Sequence, residues 1–177
     1  MPRHITLSEP RIVFSLLAIG MLGFLGMAYV LEHVFGAKPC PMCLWQRYAH
    51  ATIGLWALAG LSGTWPRLWG AAIMATAMAG LGVAVWQFAA QHQWLPFPPS
   101  CTAAGQAALS EAGNLLAAIG STHIVPCDKE TFKLLGLSLA GWNIPAMAGV
   151  IGLVGHMVWR VSKRHTMQSG VNQRAKP

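Results

Sequence analysis

Cys40-Pro41-Met42-Cys43 places two thiols within one turn of chain, and a vicinal dithiol of this kind takes up or releases two electrons as it opens and closes. Arg47 follows Cys43 by one helical turn inside an apolar segment, where a cation is expensive to keep and marks a functional position. Two further cysteines, Cys101 and Cys127, lie far downstream. The chemistry these side chains offer together is electron transfer through sulfur.

Two other uses of four cysteines compete with this one. A C-x-x-C bridge closes so small a ring that it constrains the unfolded chain little and is often strained. Strain raises the reduction potential, which suits an oxidant better than a staple. Alternatively, Cys40, Cys43, Cys101, Cys127 and His123 contain enough ligand atoms for a tetrahedral zinc or copper site. The second pair lacks C-x-x-C or H-x-x-H spacing, however, and Arg47 would repel a metal, so no metal is expected. Four cysteines allow three pairings, and the residues alone leave the resting connectivity open.

Cys43, Gln46, Arg47 and His50 recur at i, i+3, i+4 and i+7 and are expected to share one helical face. A polar stripe on a membrane helix faces protein, water or a ligand. Arg47 and the amino-terminal end of the helix both favour the Cys43 thiolate, the form that attacks or donates electrons. Gln46 and His50 read more readily as packing residues.

The elements that position these groups follow from composition. With 54% hydrophobic and 10% charged residues and a mean hydropathy of +0.47, the chain is an integral membrane protein rather than a soluble globule. Its 177 residues make one domain, expected to be an all-α four-transmembrane-helix bundle. The spans fall at about 12–31, 44–61, 68–90 and 142–161, each near the length that crosses about 30 Å of hydrocarbon. The first run is longer than a signal-peptide core and precedes no small-x-small cleavage site, so it is expected to be retained.

Charge orients the bundle. Arg3, Arg11, Arg67, Arg160, Lys163, Arg164, Arg174 and Lys176 all fall on the side of the termini and the short 62–67 turn, which the positive-inside rule makes cytoplasmic. On the other side Lys38, Arg47, Lys129 and Lys133 balance Glu32, Glu111, Asp128 and Glu130. The net charge of +7 thus reports topology, and nucleic-acid binding needs no invoking. All four cysteines land on the outer side, in a bacterium the oxidising periplasm.

Two outer loops result, at about 32–43 and 91–141, and a polar tail at 162–177 is expected to be disordered. The second loop is too long for a tight connection and carries Cys101 and Cys127 on proline-flanked, accessible backbone. Ala103 to Ile119 inside it is expected to form a helix along the membrane surface, and Phe132 to Leu137 an interfacial return to the bilayer. Gly20, Gly23 and Gly26, and Gly149, Gly152 and Gly155, recur every three residues and are expected to let helices approach closely. Pro145 is expected in the first turn of the last helix, and His156 near its cytoplasmic end is expected to pack.

These residues resemble the DsbB disulfide-bond formation proteins of the bacterial inner membrane. The likeness rests on Lys38-Pro39-Cys40-Pro41-Met42-Cys43 with Arg47, the pair Cys101 and Cys127, and Phe132-x-x-Leu135-Gly136-Leu137 leading to Trp142, and it covers nearly the whole chain. It implies a quinone-dependent thiol oxidase that takes electrons from a periplasmic DsbA-like protein of thioredoxin fold and passes them to membrane ubiquinone or menaquinone. By resemblance Cys101 would be attacked by the reduced partner, Cys127 would be its mate, and Cys40 would exchange with that loop pair. Cys43 would face the quinone, and Arg47 would hold and polarise its ring. The sequence departs from some relatives at Leu139 and Ala140, and His92 is out of register with a histidine linked to quinone in others, so no role is carried to it.

Overall fold

The structure, a computed structural model, describes residues 9–37, 39–98, 101, 127, 133–134 and 136–174. Among them are four long helices, α1 (Pro10–His33), α2 (Pro41–Gly60), α3 (Pro66–Gln91) and α4 (Leu139–Arg174), and two short strands, β1 (Lys133–Leu134) and β2 (Leu137–Ser138). The expected helix at Ala103 to Ile119, together with His123 and the charged residues Lys38, Glu111, Asp128, Lys129 and Glu130, lies outside the described residues.

Proline starts three of the helices. Pro10, Pro41 and Pro66 each stand in the first turn, where a missing N–H costs nothing and a fixed φ is already helical. The α2–α3 turn closes through Gly63 at φ +76°, where a Cβ would meet the Arg11 guanidinium at 3.1 Å, and Trp65 at φ 49°.

Side chains from all four helices form the main core: Phe14 and Leu17 of α1, Ile53 of α2, Ile73 of α3, and Met147 and Val154 of α4 are buried together. Close approach depends on glycine at two places. A Cβ at Gly60 would stand 2.8 Å from the Phe14 ring, and one at Gly70 would stand 2.8 Å from Val158. The repeating glycines expected to pack do otherwise: around Gly20, Gly23, Gly26, Gly149 and Gly152 nothing lies within 4 Å of an added Cβ, and only Gly155 touches a neighbour, Met74. Spacing marks a face of a helix, but whether a partner covers that face depends on rotation about the helix axis.

Among the described residues three helical stretches are long and apolar enough to cross a membrane: Pro10–His33, Pro66–Gln91 and Leu139–Arg164. Exposed Ile19, Leu22, Leu55 and Met78 give the outside the apolar character that a lipid solvent requires. The second helix, expected as a span at 44–61, has the length but carries Gln46, Arg47 and His50, which lower its apolarity.

The stretch before the last helix takes a definite form, and two expectations about that helix are corrected. The stretch before the last helix is a small antiparallel hairpin, Lys133 opposite Ser138 and Leu134 opposite Leu137, with Gly136 at φ +84° in its turn. The last helix begins earlier than 142, so Pro145 lies beyond its first turn. It also continues to Arg174 through residues expected to be a disordered tail, since extending a formed helix adds one bond per residue ordered and needs no new nucleus.

An ion pair and a hydrogen bond tie one end of the bundle together. Arg164 bonds Glu9 at 3.0 Å, and the Arg67 guanidinium donates to the Val161 carbonyl at 3.5 Å. The start of α1, the start of α3 and the 161–164 stretch of α4 therefore share one end, and the cysteines gather at the other.

Candidate functional site

Cys40 is the N-cap of α2: its backbone is extended (φ −87°, ψ 166°) and its sulfur accepts the Cys43 N–H at 3.2 Å. An N-cap normally satisfies one of the orphan donors of the first turn with oxygen. Here a cysteine sulfur does so, and C-x-x-C spacing is the spacing of a cap and its third helical residue.

Cys127 connects the loop to this turn. Its N–H donates to the Cys101 carbonyl at 2.9 Å, and its thiol is hydrogen-bonded to that of Cys40. Cys40, Met42, Cys101 and Cys127 form one buried cluster, with Cys43, Val83 and Phe97 packed against it. All four cysteines are in the thiol form. The Cys40 thiol is pushed up to about 11 from the ordinary 9.0, first by its hydrogen bond with Cys127, while its bond with Cys43 pulls the other way.

The structure thus brings the four sequence-identified cysteines together, but not with the exposure expected of the loop pair. Cys101 and Cys127 are each only 1% exposed, buried in the cluster with Cys40 and Met42 against which Phe97 packs. Cys43 is the exception in the set: it is half-buried where the other three are buried.

The expected polar stripe on α2 divides. Gln46 faces α3, where its Nε2 donates to Gln87 Oε1 at 3.1 Å. Arg47 faces α1: it is ion-paired with Glu32, donates to the Ala28 carbonyl at 3.3 Å, and lies 5.7 Å from the centre of the Tyr29 ring. Consecutive positions on a helix diverge by about 100°, which suffices to send neighbours to different partners. His50 is buried, with Nδ1 2.7 Å from the Gln46 carbonyl and its ring 5.2 Å from that of Phe24. His92 stays exposed at the end of α3, with Nδ1 2.9 Å from the Phe88 carbonyl.

Two site residues escape the sequence reading. Glu32 was counted there only as an outer-side charge, and it is the counter-ion of Arg47. Gln87, 2% exposed on α3, has its Nε2 3.5 Å from both the Cys40 and the Cys43 sulfur. A glutamine inside the apolar run 68–90 was the available signal, since a polar side chain buried there needs a partner.

The metal alternative asks for a convergent ligand set. Among the described residues no group of three or more His, Cys, Asp or Glu side chains is placed to hold an ion, and His123 lies outside them.

The fold and site define a helical membrane protein with a cluster of four cysteines at one end. Comparison with known proteins agrees: the family described as Disulfide bond formation protein DsbB matches residues 10–157. A Disulfide bond formation protein B from Albidiferax ferrireducens is 32% identical over 168 residues, covering 89% of this chain and 92% of the relative. One from Aromatoleum aromaticum is 36% identical over 131 residues, 69% of this chain and 76% of the relative. A third, from Dechloromonas aromatica, is 30% identical over 148 residues, 80% and 87% respectively. No solved structure matches the chain. The chain belongs to the DsbB family of disulfide bond formation proteins.

Proposed function

We propose that this chain is a bacterial inner-membrane thiol oxidase that reoxidises a periplasmic DsbA-like dithiol protein and delivers the electrons to membrane quinone. In this reading α1 to α4 all span the bilayer, both termini are cytoplasmic, and the cysteine end with the 91–141 loop is periplasmic. The charge asymmetry of the sequence supports that orientation.

The observation that carries the reading is the continuity of sulfur from loop to helix: Cys101 joined to Cys127 through the backbone, Cys127 to Cys40 through thiols, and Cys40 to Cys43 in the first turn of α2. The exchange balances as follows. A partner thiolate attacks Cys101 of a Cys101–Cys127 disulfide, forming a mixed disulfide and releasing Cys127 as thiolate. Cys127 attacks Cys40 of a Cys40–Cys43 disulfide, and Cys43 leaves with the electron pair. The partner's second thiolate displaces Cys101, which then attacks Cys127, restoring the loop disulfide and leaving Cys40 and Cys43 reduced. Burial of Cys101 and Cys127 requires the covering chain, Phe97 included, to move aside for the partner.

Cys43 and Arg47 support quinone as the acceptor in this reading. Cys43 is the one cysteine of the four that is only partly buried, and Arg47, one turn deeper and partly exposed, supplies donors suited to a carbonyl oxygen. When bound, quinone accepts two electrons and two protons as Cys40 and Cys43 close to a disulfide. Arg47 orients its ring, and Glu32 holds the guanidinium in place.

The test is the absorbance loss of ubiquinone when a reduced DsbA protein is added to the purified chain in detergent, beside Cys43→Ala. Catalytic loss that vanishes in the variant is expected; quinone left intact by the unmutated chain overturns the reading.

A further inference from the structure

We propose that Gln87 is a catalytic hydrogen-bond donor to the Cys40–Cys43 pair and that Gln46 is the positioning residue that aims it. The inference rests on the thiol-oxidase reading and adds a third helix to its chemistry.

A glutamine amide has one acceptor oxygen and two N–H groups on one nitrogen. The oxygen of Gln87 is taken up by Gln46 Nε2 at 3.1 Å, which fixes which way the amide points. Its nitrogen then stands 3.5 Å from each sulfur of the pair, with one hydrogen available to each. Both glutamines are buried, so water does not compete for the Gln46–Gln87 bond that sets this aim.

Sulfur is a weak acceptor as a thiol or disulfide and a much stronger one as a thiolate. The bond is therefore worth most when charge develops on sulfur. That happens when Cys127 attacks Cys40 and Cys43 leaves with the electron pair. Cys40 also receives the Cys43 backbone N–H, whereas Gln87 reaches the Cys43 sulfur from α3. Arg47, the cation expected to serve that thiolate, is committed to Glu32 and the Ala28 carbonyl on α1. A fixed dipole aimed at the developing charge needs no reorganisation as the bond breaks.

The competing account is that Gln46 and Gln87 merely clasp α2 to α3. The two differ in what they do to sulfur. In the full-length chain, reduced by a phosphine in detergent, the pH dependence of Cys43 alkylation by iodoacetamide is followed by peptide mass spectrometry. Gln87→Met keeps the size and removes the donors. Its midpoint is expected to rise by about one pH unit, a tenfold loss of thiolate at a given lower pH. Gln46→Leu leaves the donors but frees their aim, and is expected to shift the midpoint the same way by less. With reduced DsbA and ubiquinone, kcat is expected to fall in the same order, the KM for quinone holding. Lower melting temperatures with unmoved midpoints overturn the assignment and leave only the clasp. Should Gln87→Met not fold, Gln46→Leu decides alone, an unmoved midpoint again overturning it. Because alkylation needs neither quinone nor partner, an unmutated chain that fails to reduce quinone sinks the thiol-oxidase reading while the midpoints still judge Gln87.

Discussion

The thiol of Cys40, at the N-cap of α2, is hydrogen-bonded to the thiol of Cys127, whose backbone is in turn bonded to Cys101. Sulfur-bearing residues from a helix start and from a distant loop segment are thereby brought into one buried cluster. The contact also raises the proton affinity of Cys40, and this gives it a measurable signature.

Cys40 in the reduced chain is expected to alkylate with a midpoint near 11 rather than the ordinary 9.0. In Cys127→Ala, which removes the largest cause, the midpoint should move down toward the ordinary value. The sign carries into stability. A group whose folded pKa is raised holds its proton more tightly when folded, so its contribution is complete below about 9 and is lost as pH rises toward about 11. Thermal melts of the reduced protein across that range should fall with pH, and fall less in Cys127→Ala.

On the proposed function, Cys43→Ala should abolish quinone reduction, because it removes the sulfur assigned to meet the acceptor. Cys101→Ala should stop oxidation of the protein partner while the inner pair, reduced chemically, still reacts with quinone. Stopped-flow absorbance of ubiquinone, with dithiothreitol or a reduced DsbA protein as donor, separates the two.

Arg47→Ala should raise the KM for ubiquinone by about tenfold, the scale of a lost hydrogen bond to a charged group, and leave the KM for the partner nearly unchanged. Glu32→Gln keeps the cation but removes its ion-pair partner, so a smaller rise in quinone KM is expected. Steady-state kinetics with each substrate varied in turn checks both; equal quinone KM in Arg47→Ala contradicts the assigned role.

Gly60→Val should destabilise the bundle by about 1–3 kcal/mol, since even a Cβ there would press on the Phe14 ring. Gly20→Val, with nothing within 4 Å of the added carbon, should stay within about 0.5 kcal/mol. Detergent unfolding of the two variants side by side measures the difference.

Local features were legible in advance. Apolar runs marked the helices to within a few residues, because span length and composition are properties of contiguous chain. Cys40 and Cys43 were legible as a unit because a cap and its first turn are adjacent in sequence. The end of α4 was misjudged because polarity predicts solvent contact, and a helix already nucleated can extend through polar residues.

The sequence by itself determined four helical segments, a dithiol at the start of the second, and a strong charge bias toward the other end of the bundle. Only the tertiary structure decided that Cys127 meets Cys40, that Arg47 turns to Glu32, that Gln87 reaches the dithiol, and that most of the repeating glycines have no partner. The reason is rotational. A helix in water shows its buried face as an apolar stripe, but a helix apolar on every side, as α3 nearly is, carries no such mark. Which side chains it turns toward its neighbours is set by packing across the bundle, and that is not written in any local stretch of chain.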